Sequence, residues 1–217
     1  PIRTANNSSA VIKSKINSIP LTLMFCNNCS NIQIKEIIKP EVLYDKFSYC
    51  TSSSFGLKKH LENLLLKIFK KYKIKKNDLV EDIGSNDGAF LNYFKNKRVN
   101  HIGIEPSKKI SRKANKKGIR TLCAYYNKTI SEKIKRDHGK AKVVACFNTF
   151  ANIENLNEFV ISIKNLISDQ GIGIIETQYG LDVLKKNLID TVYHEHINYF
   201  TKKSLVKLFS RNGLKIT

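Results

Sequence analysis

Residues 79–91 constrain the fold of this chain more than any other stretch. The sequence LVEDIGSNDGAFL predicts a short strand, a tight glycine turn and the start of a helix. A second strand is predicted over residues 99–104 and ends at Glu105, about twenty residues after the turn. This is the layout of a nucleotide-binding βαβ unit, in which the acidic residue takes the ribose hydroxyls. On its own, an ordinary strand–turn–helix is the alternative.

The spacing of the glycines indicates which cofactor to expect. Gly84 and Gly88 are four residues apart and follow Asp82. The sequence here lacks both G-x-G-x-x-G, which seats a pyrophosphate at a helix N-terminus, and the P-loop pattern. D-x-G-x-x-x-G is the usual pattern for S-adenosylmethionine (SAM), whose adenosine carries no phosphate. We therefore expect SAM to be bound by Asp82, Gly84, Asn86, Asp87, Gly88, Glu105 and Asn148.

The pattern from residue 57 to residue 176 alternates between helices and strands. Helices are predicted over residues 57–72, 89–97, 108–117, 129–138 and 156–167, and further strands over 120–124, 141–147 and 171–176. Five alternating strands predict an α/β fold, a Rossmann-like doubly wound and mostly parallel sheet. Its ligand should lie at the carboxyl ends of the strands, beside the first strand.

The first part of the chain predicts half of a zinc ribbon. Cys26-x-x-Cys29 lies between two short predicted strands, and two thiolates on one turn are half of a structural zinc site. No second C-x-x-C follows, and Cys50 is a lone further candidate. Two unmetallated cysteines are the alternative. One C-x-x-C among five cysteines fits a reduced, cytoplasmic chain better than a disulfide framework.

The segment Tyr193-His194-Glu195-His196 is the densest group of reactive side chains. The spacing of the two histidines predicts an extended segment, with His194 and His196 on one face and Tyr193 and Glu195 on the other. Metal binding and proton transfer are both chemically reasonable for this set. The third interpretation is structural: these partly buried polar groups would only hydrogen-bond with one another. We favour a functional role, because four such groups follow a cofactor domain.

The net charge of +20 suggests nucleic acid as a partner. The lysines are scattered, however, and asparagine and isoleucine are also abundant, which indicates a compositional bias. RNA methyltransferases commonly carry [N/D]-P-P-[Y/F] after the fourth strand, where this chain has NTFA at residues 148–151. An RNA methyltransferase and a SAM-fold remnant without catalysis are our two alternatives. The sequence has no run of 18 apolar residues, so it predicts no membrane span.

Several motifs occur together in one order along the chain. They are Cys26-x-x-Cys29, Leu43-Tyr44 with Tyr49, His60, DIGSNDG at 82–88, GIEP at 103–106, NTFA at 148–151 and DTVYHEH at 190–196. Together they resemble the sugar C-methyltransferase family over nearly the whole chain. The resemblance implies methylation at C3 of a nucleotide-activated 4-keto-deoxysugar, with a dTDP-linked sugar as the expected partner.

The resemblance also implies an arrangement of domains. A zinc-bearing N-terminal module would occupy residues 1–56, the SAM domain residues 57–178, and the start of a C-terminal domain residues 179–217. Because the chain begins with Pro1 and ends within a pattern at Thr217, we expect truncation at both ends. One departure is Asn152, which stands where the family has an active-site histidine. We expect a cytoplasmic monomer with no nucleic-acid or membrane partner.

The implied mechanism assigns roles to four residues. The 4-keto group acidifies the C3 proton, a base removes it, and the resulting enolate carbon attacks the methyl group of SAM. Carried over by position, His196 is the base, and Tyr193 and Glu195 support it. Tyr49 would reach in from the N-terminal module, and Phe47 is the alternative match.

Overall fold

A five-stranded parallel sheet forms the centre of the protein. The structure is a computed structural model and describes residues 19–44 and 47–217. The sheet has the order β5-β4-β3-β6-β7, and every pair of neighbours is parallel. Its strands are β3 (Leu79–Ile83), β4 (Asn100–Ile104), β5 (Thr121–Leu122), β6 (Ala141–Phe147) and β7 (Ile167–Glu176). The doubly wound sheet is confirmed, and the order in which the chain adds strands reverses beside the central β3.

Helices cover both faces of this sheet. They are α2 (Phe55–Tyr72), α3 (Ala89–Asn96) and α4 (Lys108–Lys116) on one face, and α5 (Lys128–His138) and α6 (Leu156–Leu166) on the other, with α1 (Pro40–Tyr44) before them. Alternate residues of β6 enter different cores, since Val143 packs with α2 and α3, and Val144 with α5 and α6. A strand buried on both faces is mostly apolar, which explains the sequence of β6 apart from the partly buried Lys142 near its start.

A second, smaller sheet joins a segment near residue 30 to one near residue 198. Strands β1 (Leu23–Phe25), β2 (Ile32–Ile34) and β8 (Asn198–Tyr199) are antiparallel, with β2 in the middle. Helix α7 (Gly180–Lys185) precedes β8, and α8 (Lys202–Arg211) follows it. The predicted modules 1–56 and 179–217 therefore contribute strands to one sheet.

Most element bounds lie close to the predicted ones, and three differ. Strand β7 begins at Ile167, directly after α6, rather than at residue 171. The strand predicted over residues 120–124 has only two residues. Residues 193–196 form a turn and are not extended, so the predicted alternation of their side chains is wrong. Within the part of the chain that the structure describes, no helix is long and apolar enough to cross a membrane.

Candidate active site

One cavity of about 780 Å³ lies at the carboxyl ends of the strands. Its first end is lined by Gly84 and Glu105, which follow β3 and β4, and by Asn148, which follows β6. Its second end is lined by Tyr193 and His196, which precede β8. The volume is in the range of ligand and cofactor sites. The sheet thus brings the predicted cofactor and catalytic segments to one cavity.

The glycine turn after β3 shapes the first end. Gly84 has φ +73°, and an added Cβ would lie 2.0 Å from Thr149 Oγ1, so no other residue fits without a shift. The carboxylate of Glu105 is buried and held on both sides, because it accepts hydrogen bonds from the backbone N–H of Asn86 (3.1 Å) and of Ser107 (2.8 Å). Two fixed oxygens that line the cavity suit the hydroxyls of a ribose.

Asp82 adds a second buried carboxyl group to this end. Among the described residues, its Oδ1 has no hydrogen-bond partner. Burial, and then the nearby Glu105, raise the pKa of Asp82 well above its usual range. Burial also raises the pKa of Glu105, and the two backbone N–H groups oppose that effect. A pair of crowded acidic groups favours a cationic ligand, so SAM with its sulfonium and amine fits this end of the cavity.

Two of the predicted cofactor residues do not line the cavity. Asp87 turns away from it and pairs with Lys117, at 2.8 Å. Gly88 also lies outside the lining, and an added Cβ there would come within 2.6 Å of Ile119 Cδ1, so this glycine allows close packing of the helix. Asp82, Gly84, Asn86, Glu105 and Asn148 are brought together at the cavity.

Asn148 lies at the rim of the first end. Its backbone has φ +51°, in the left-handed region that asparagine tolerates. Its Nδ2 donates to Glu176 Oε1 (3.2 Å), and Glu176 also pairs with His60. Asn148 after β6, Glu176 at the end of β7 and His60 of α2 therefore form one polar group beside the cavity.

The turn at residues 193–196 places its side chains differently from the prediction. Tyr193 and His196 lie on the same side, with the tyrosine Oη 2.9 Å from His196 Nε2 and the ring centroids 4.1 Å apart. The turn is closed by the bond from His196 N–H to the Tyr193 carbonyl, 3.0 Å. His194 also lines the cavity, but its Nε2 contacts the Pro20 carbonyl at 2.9 Å and not the Tyr193–His196 pair. Glu195 is buried and lines the cavity.

The hydrogen bonds of His196 define its tautomer. Its Nδ1 lies 3.3 Å from the Thr191 carbonyl, which only accepts, so Nδ1 carries the proton. Nε2 therefore holds the lone pair, and the Tyr193 hydroxyl donates to it. Burial lowers the pKa of His196 to about 4, and the Thr191 carbonyl opposes this. The imidazole is neutral at physiological pH, as a base must be.

The segment after α1 supplies a wall of the cavity. Phe47, Tyr49 and Thr51 all line it, so both residues that the sequence offered as the aromatic contribution are present. The Tyr49 side chain is also partly exposed, at 42%. This wall lies beside the glycine turn, since the backbone carbonyl of Tyr49 accepts a bond from Asn86 Nδ2 (3.0 Å).

No catalytic or binding role was predicted for three further polar residues of the cavity. Tyr44 and Tyr125 line it together with Asn152. The Tyr44 hydroxyl lies beside the Asn152 side chain, and burial, followed by Glu195, raises its pKa. Tyr125 follows β5. Because ligands bind at the carboxyl ends of the strands in such sheets, its position could have identified it as a cavity residue. Tyr44 comes from α1, outside the central sheet, so this rule does not apply to it, and its signal was its place among the motifs of the resemblance.

The cysteine pair forms a compact turn without a complete zinc site. The Cys26 carbonyl accepts from Ser30 N–H at 2.7 Å, and backbone N–H groups of Asn28 and Cys29 point at the Cys26 sulfur. Within residues 19–44 and 47–217, no cluster of three or more Cys, His, Asp or Glu side chains is placed to bind a metal. Cys50 lies against Lys113 instead. The described residues do not provide the four ligands of structural zinc.

The sheet order and the position of the cavity define a Rossmann-like methyltransferase fold. Similar solved structures include the plantazolicin methyltransferase BpumL in complex with SAH (TM-score 0.57, 17% identity, 74% of this chain and 65% of that chain). A SAM-dependent methyltransferase from Archaeoglobus fulgidus is similar too (TM-score 0.53, 17% identity, 70% and 68%). At such identities the likeness concerns the fold alone.

Sequence comparison identifies the family. A methyltransferase domain model matches residues 57–217, and the chain belongs to this family of SAM-dependent methyltransferases. The C-methyltransferase NovU of Streptomyces niveus is 30% identical over 197 residues, which cover 91% of this chain and 47% of NovU. The chain thus spans about half the length of that relative.

Proposed function

We propose that this chain belongs to a C-methyltransferase that acts on C3 of a nucleotide-diphosphate 4-keto-deoxysugar. The observation that carries the proposal is the Tyr193–His196 pair, 2.9 Å apart, which lines the same cavity as Glu105, the carboxylate predicted to bind the ribose. The name of NovU supports transfer to carbon. The motif resemblance supports the sugar, and a dTDP-linked sugar is the partner that we propose.

His196 is the proposed base. A C3–H bond next to a ketone breaks heterolytically, its proton goes to His196 Nε2, and its electron pair moves into the C4 carbonyl oxygen to give an enolate. The fixed tautomer suits this step, because Nδ1–H remains bonded to Thr191 as Nε2 accepts the proton. A positioned base of this kind contributes roughly 10²–10⁴-fold in rate.

Tyr193 is the proposed donor for the enolate oxygen. Burial, and then Glu195, raise the pKa of its phenol, so the hydroxyl stays protonated and able to donate. In the free protein it donates to His196 Nε2. With the sugar in place, the hydroxyl turns to the developing oxyanion and frees the imidazole nitrogen for the C3 proton. Tyr49 and Glu195 line the same cavity and would contact the sugar.

SAM, when bound, supplies the methyl group that C3 receives. Asp82, Glu105 and the glycine turn at Gly84 would hold it at the first end of the cavity. The tyrosines at the second end orient the acceptor and exclude water. Alignment of the two reactants is the main task left to the protein, because oriented reactants gain several kcal/mol over free ones, roughly 7–11 in favourable cases.

The proposal is tested by incubating the chain with a dTDP-linked 4-keto-deoxysugar in deuterated water, with and without SAM. Without SAM, we expect mass spectrometry to show one deuterium entering at C3. With SAM, we expect a methyl group at C3, located by NMR. His196→Asn should lower both rates by roughly 10³-fold. His138→Asn, which changes an exposed histidine of α5, is the matched control. A folded, SAM-binding chain that exchanges no C3 proton would contradict the proposal.

A further inference from the structure

A short segment of the chain lies along the cavity beside the glycine turn. We call residues 47–53 the strap. Its residues Phe47, Tyr49 and Thr51 line the cavity. Its C-terminal part is a single 3-10 turn, Thr51–Ser53, followed by α2. So short a segment is held mainly by the contacts that it makes with its surroundings, and these are concentrated at the cofactor side.

The side chain of Asn86 binds the strap on two sides. Its Oδ1 accepts a hydrogen bond from Thr51 N–H at 2.9 Å, and its Nδ2 donates to the Tyr49 carbonyl at 3.0 Å. The backbone N–H of Asn86 faces the other way and donates to Glu105 at 3.1 Å. One residue of the glycine turn thus connects Glu105, the carboxylate predicted to bind the ribose, with the strap.

Asp87 continues this set of contacts. Its Oδ1 accepts from Ser52 N–H at 3.2 Å, and its Oδ2 accepts from the Ser52 hydroxyl. Lys117 Nζ lies 2.8 Å from Oδ2 and balances its charge, and the aspartate side chain is fully buried. Burial raises the pKa of Asp87, but the bonds from Lys117 and Ser52 hold it below its usual value. Asp87 is therefore ionised at neutral pH.

The other end of the strap is fixed as well. The Ser107 hydroxyl donates to the Phe47 carbonyl at 3.2 Å, and Ser107 N–H binds the second oxygen of Glu105. Both contacts that Glu105 makes therefore lead to a residue that holds the strap. Hydrogen bonds that a buried carboxylate accepts are stronger than those between neutral groups, so the Asp87 contacts should dominate.

We propose that Asp87, acting through Ser52, is a positioning residue that fixes the strap as a wall of the cavity and does not bind the cofactor. The geometry separates the two roles, because the Asp87 side chain lies outside the cavity that its neighbour Asn86 lines. The consequence for methyl transfer rests on the function proposed above. The role of Asp87 in holding the strap does not depend on that function.

The direct test is hydrogen exchange of the Thr51 and Ser52 amides, followed by NMR, in the wild-type chain and in Asp87→Ala. Loss of the Asp87 acceptor should speed exchange at Ser52 by about 10-fold or more. The affinity for SAH, measured by calorimetry, should change by less than about 3-fold, because no cofactor contact is lost. Unchanged exchange at Ser52 in a folded Asp87→Ala chain would overturn the proposal. So would a loss of SAH affinity without a change in exchange.

Ser52→Ala keeps the test decisive if Asp87→Ala does not fold. It removes only the hydroxyl that donates to Asp87. We expect faster exchange at residues 51–53 and a lower kcat for C3 methylation, by about 10-fold or more, with SAH affinity retained. Asp169→Asn, which breaks an exposed ion pair with Lys140, is the control and should change neither quantity. If Ser52→Ala leaves both exchange and kcat unchanged, the strap is not positioned in this way.

The double variant Ser52→Ala/Asp87→Ala separates a shared role from two independent ones. If Asp87 acts through Ser52, the effects of the two single changes on exchange and kcat will not add. Additive effects would contradict the proposal. Failure of the wild-type chain to methylate the sugar would instead count against the proposed function, and the exchange measurements would still decide the role of the strap.

Discussion

At the scale of single residues, the buried imidazole of His196 predicts how the proposed reaction depends on pH. Burial lowers its pKa to about 4, against 6.5 for an ordinary histidine, so the neutral form persists down to mildly acidic pH. We expect the rate of C3 proton exchange, measured under kcat/KM conditions, to fall as the pH drops through about 4 to 5, rather than through 6.5. The measurement is the exchange rate against pH.

The variant Tyr193→Phe tests the same assignment of His196 in a second way. The tyrosine hydroxyl stabilises the neutral imidazole by donating to Nε2, and its loss should move the acidic limb to higher pH. The same depressed pKa makes the fold less stable as pH falls from about 6.5 towards 4, because the unfolded chain then binds more protons. Unfolding must be followed in parallel. An acidic limb at 6.5 in a fully folded chain would show that His196 is not the base.

A second buried group, Glu81, should destabilise the fold. Within residues 19–44 and 47–217, neither of its carboxylate oxygens has a hydrogen-bond partner, and burial, then Asp82, raise its pKa well above 4.5. A raised acid pKa means that stability is present at low pH and is lost as pH rises above 4.5. We expect Glu81→Leu to stabilise the chain by about 1–3 kcal/mol at pH 8.

Thermal unfolding at pH 5 and at pH 8 checks this expectation. The gain from Glu81→Leu should be smaller at pH 5, where the wild-type carboxyl group is more nearly neutral in both states. Glu81→Gln keeps the shape and removes only the ionisation, so it should flatten the pH dependence without the full gain. Equal effects of Glu81→Leu at both pH values would show that the ionisation of Glu81 costs nothing.

At the scale of elements, the glycine turn between β3 and α3 depends on space and on backbone conformation together. Gly84 and Gly118 have the same φ of +73°, but only Gly84 faces a rigid neighbour, Thr149. We expect Gly84→Ala to abolish SAM binding, because the turn must move away from Thr149. Gly118→Ala meets only the end of the Lys95 side chain and should cost about 1–2 kcal/mol of stability with binding retained.

Calorimetric titration with SAM and a urea melt of both variants make the comparison. Each variant carries the same backbone strain, so the difference in binding reports the space at Thr149 alone. Full SAM affinity in Gly84→Ala would mean that the turn adapts without disturbing the cavity, and the role given to Gly84 would be wrong.

The scale of elements also shows where sequence patterns predict well. Alternating strands and helices identified all five strands of the central sheet, because a strand buried on both faces has a local signature. The turn at residues 193–196 was predicted wrongly, because a two-residue spacing of histidines is also compatible with a tight turn. Nothing in those four residues favours the turn over a strand. The bond between Tyr193 and His196 arises only once the turn has formed.

At the scale of the whole molecule, the pairing of β2 with β8 was beyond prediction. Ile32 pairs with Tyr199, far along the chain, and each strand has only two or three residues. Segments so short carry no periodicity, and their pairing is decided by contacts made after the central sheet has formed. The contacts of the strap with Asp87 are of the same kind. Local patterns therefore predicted the residues around the cavity better than the contacts among them.

Asn198 lies where the small sheet meets the cofactor domain, two residues from His196. Its side chain accepts from Asn31 Nδ2 at 3.1 Å and donates to the Ile153 carbonyl at 3.0 Å, and it is buried. Asn198→Ala would leave both of these partners without that bond. We expect a loss of about 2–3 kcal/mol in the free energy of unfolding, because each buried polar group left unsatisfied costs about 1–3 kcal/mol.

A urea melt measures that loss, and Asn157→Ala is the matched control. Asn157 is exposed and makes one long bond, 3.3 Å, to Asn212, so its removal should change stability by no more than about 0.5 kcal/mol. Because Asn198 fixes the chain just after His196, its loss should also slow C3 exchange in the protein that remains folded. Reduced stability with an unchanged exchange rate would mean that the Tyr193–His196 pair holds its geometry through the turn alone.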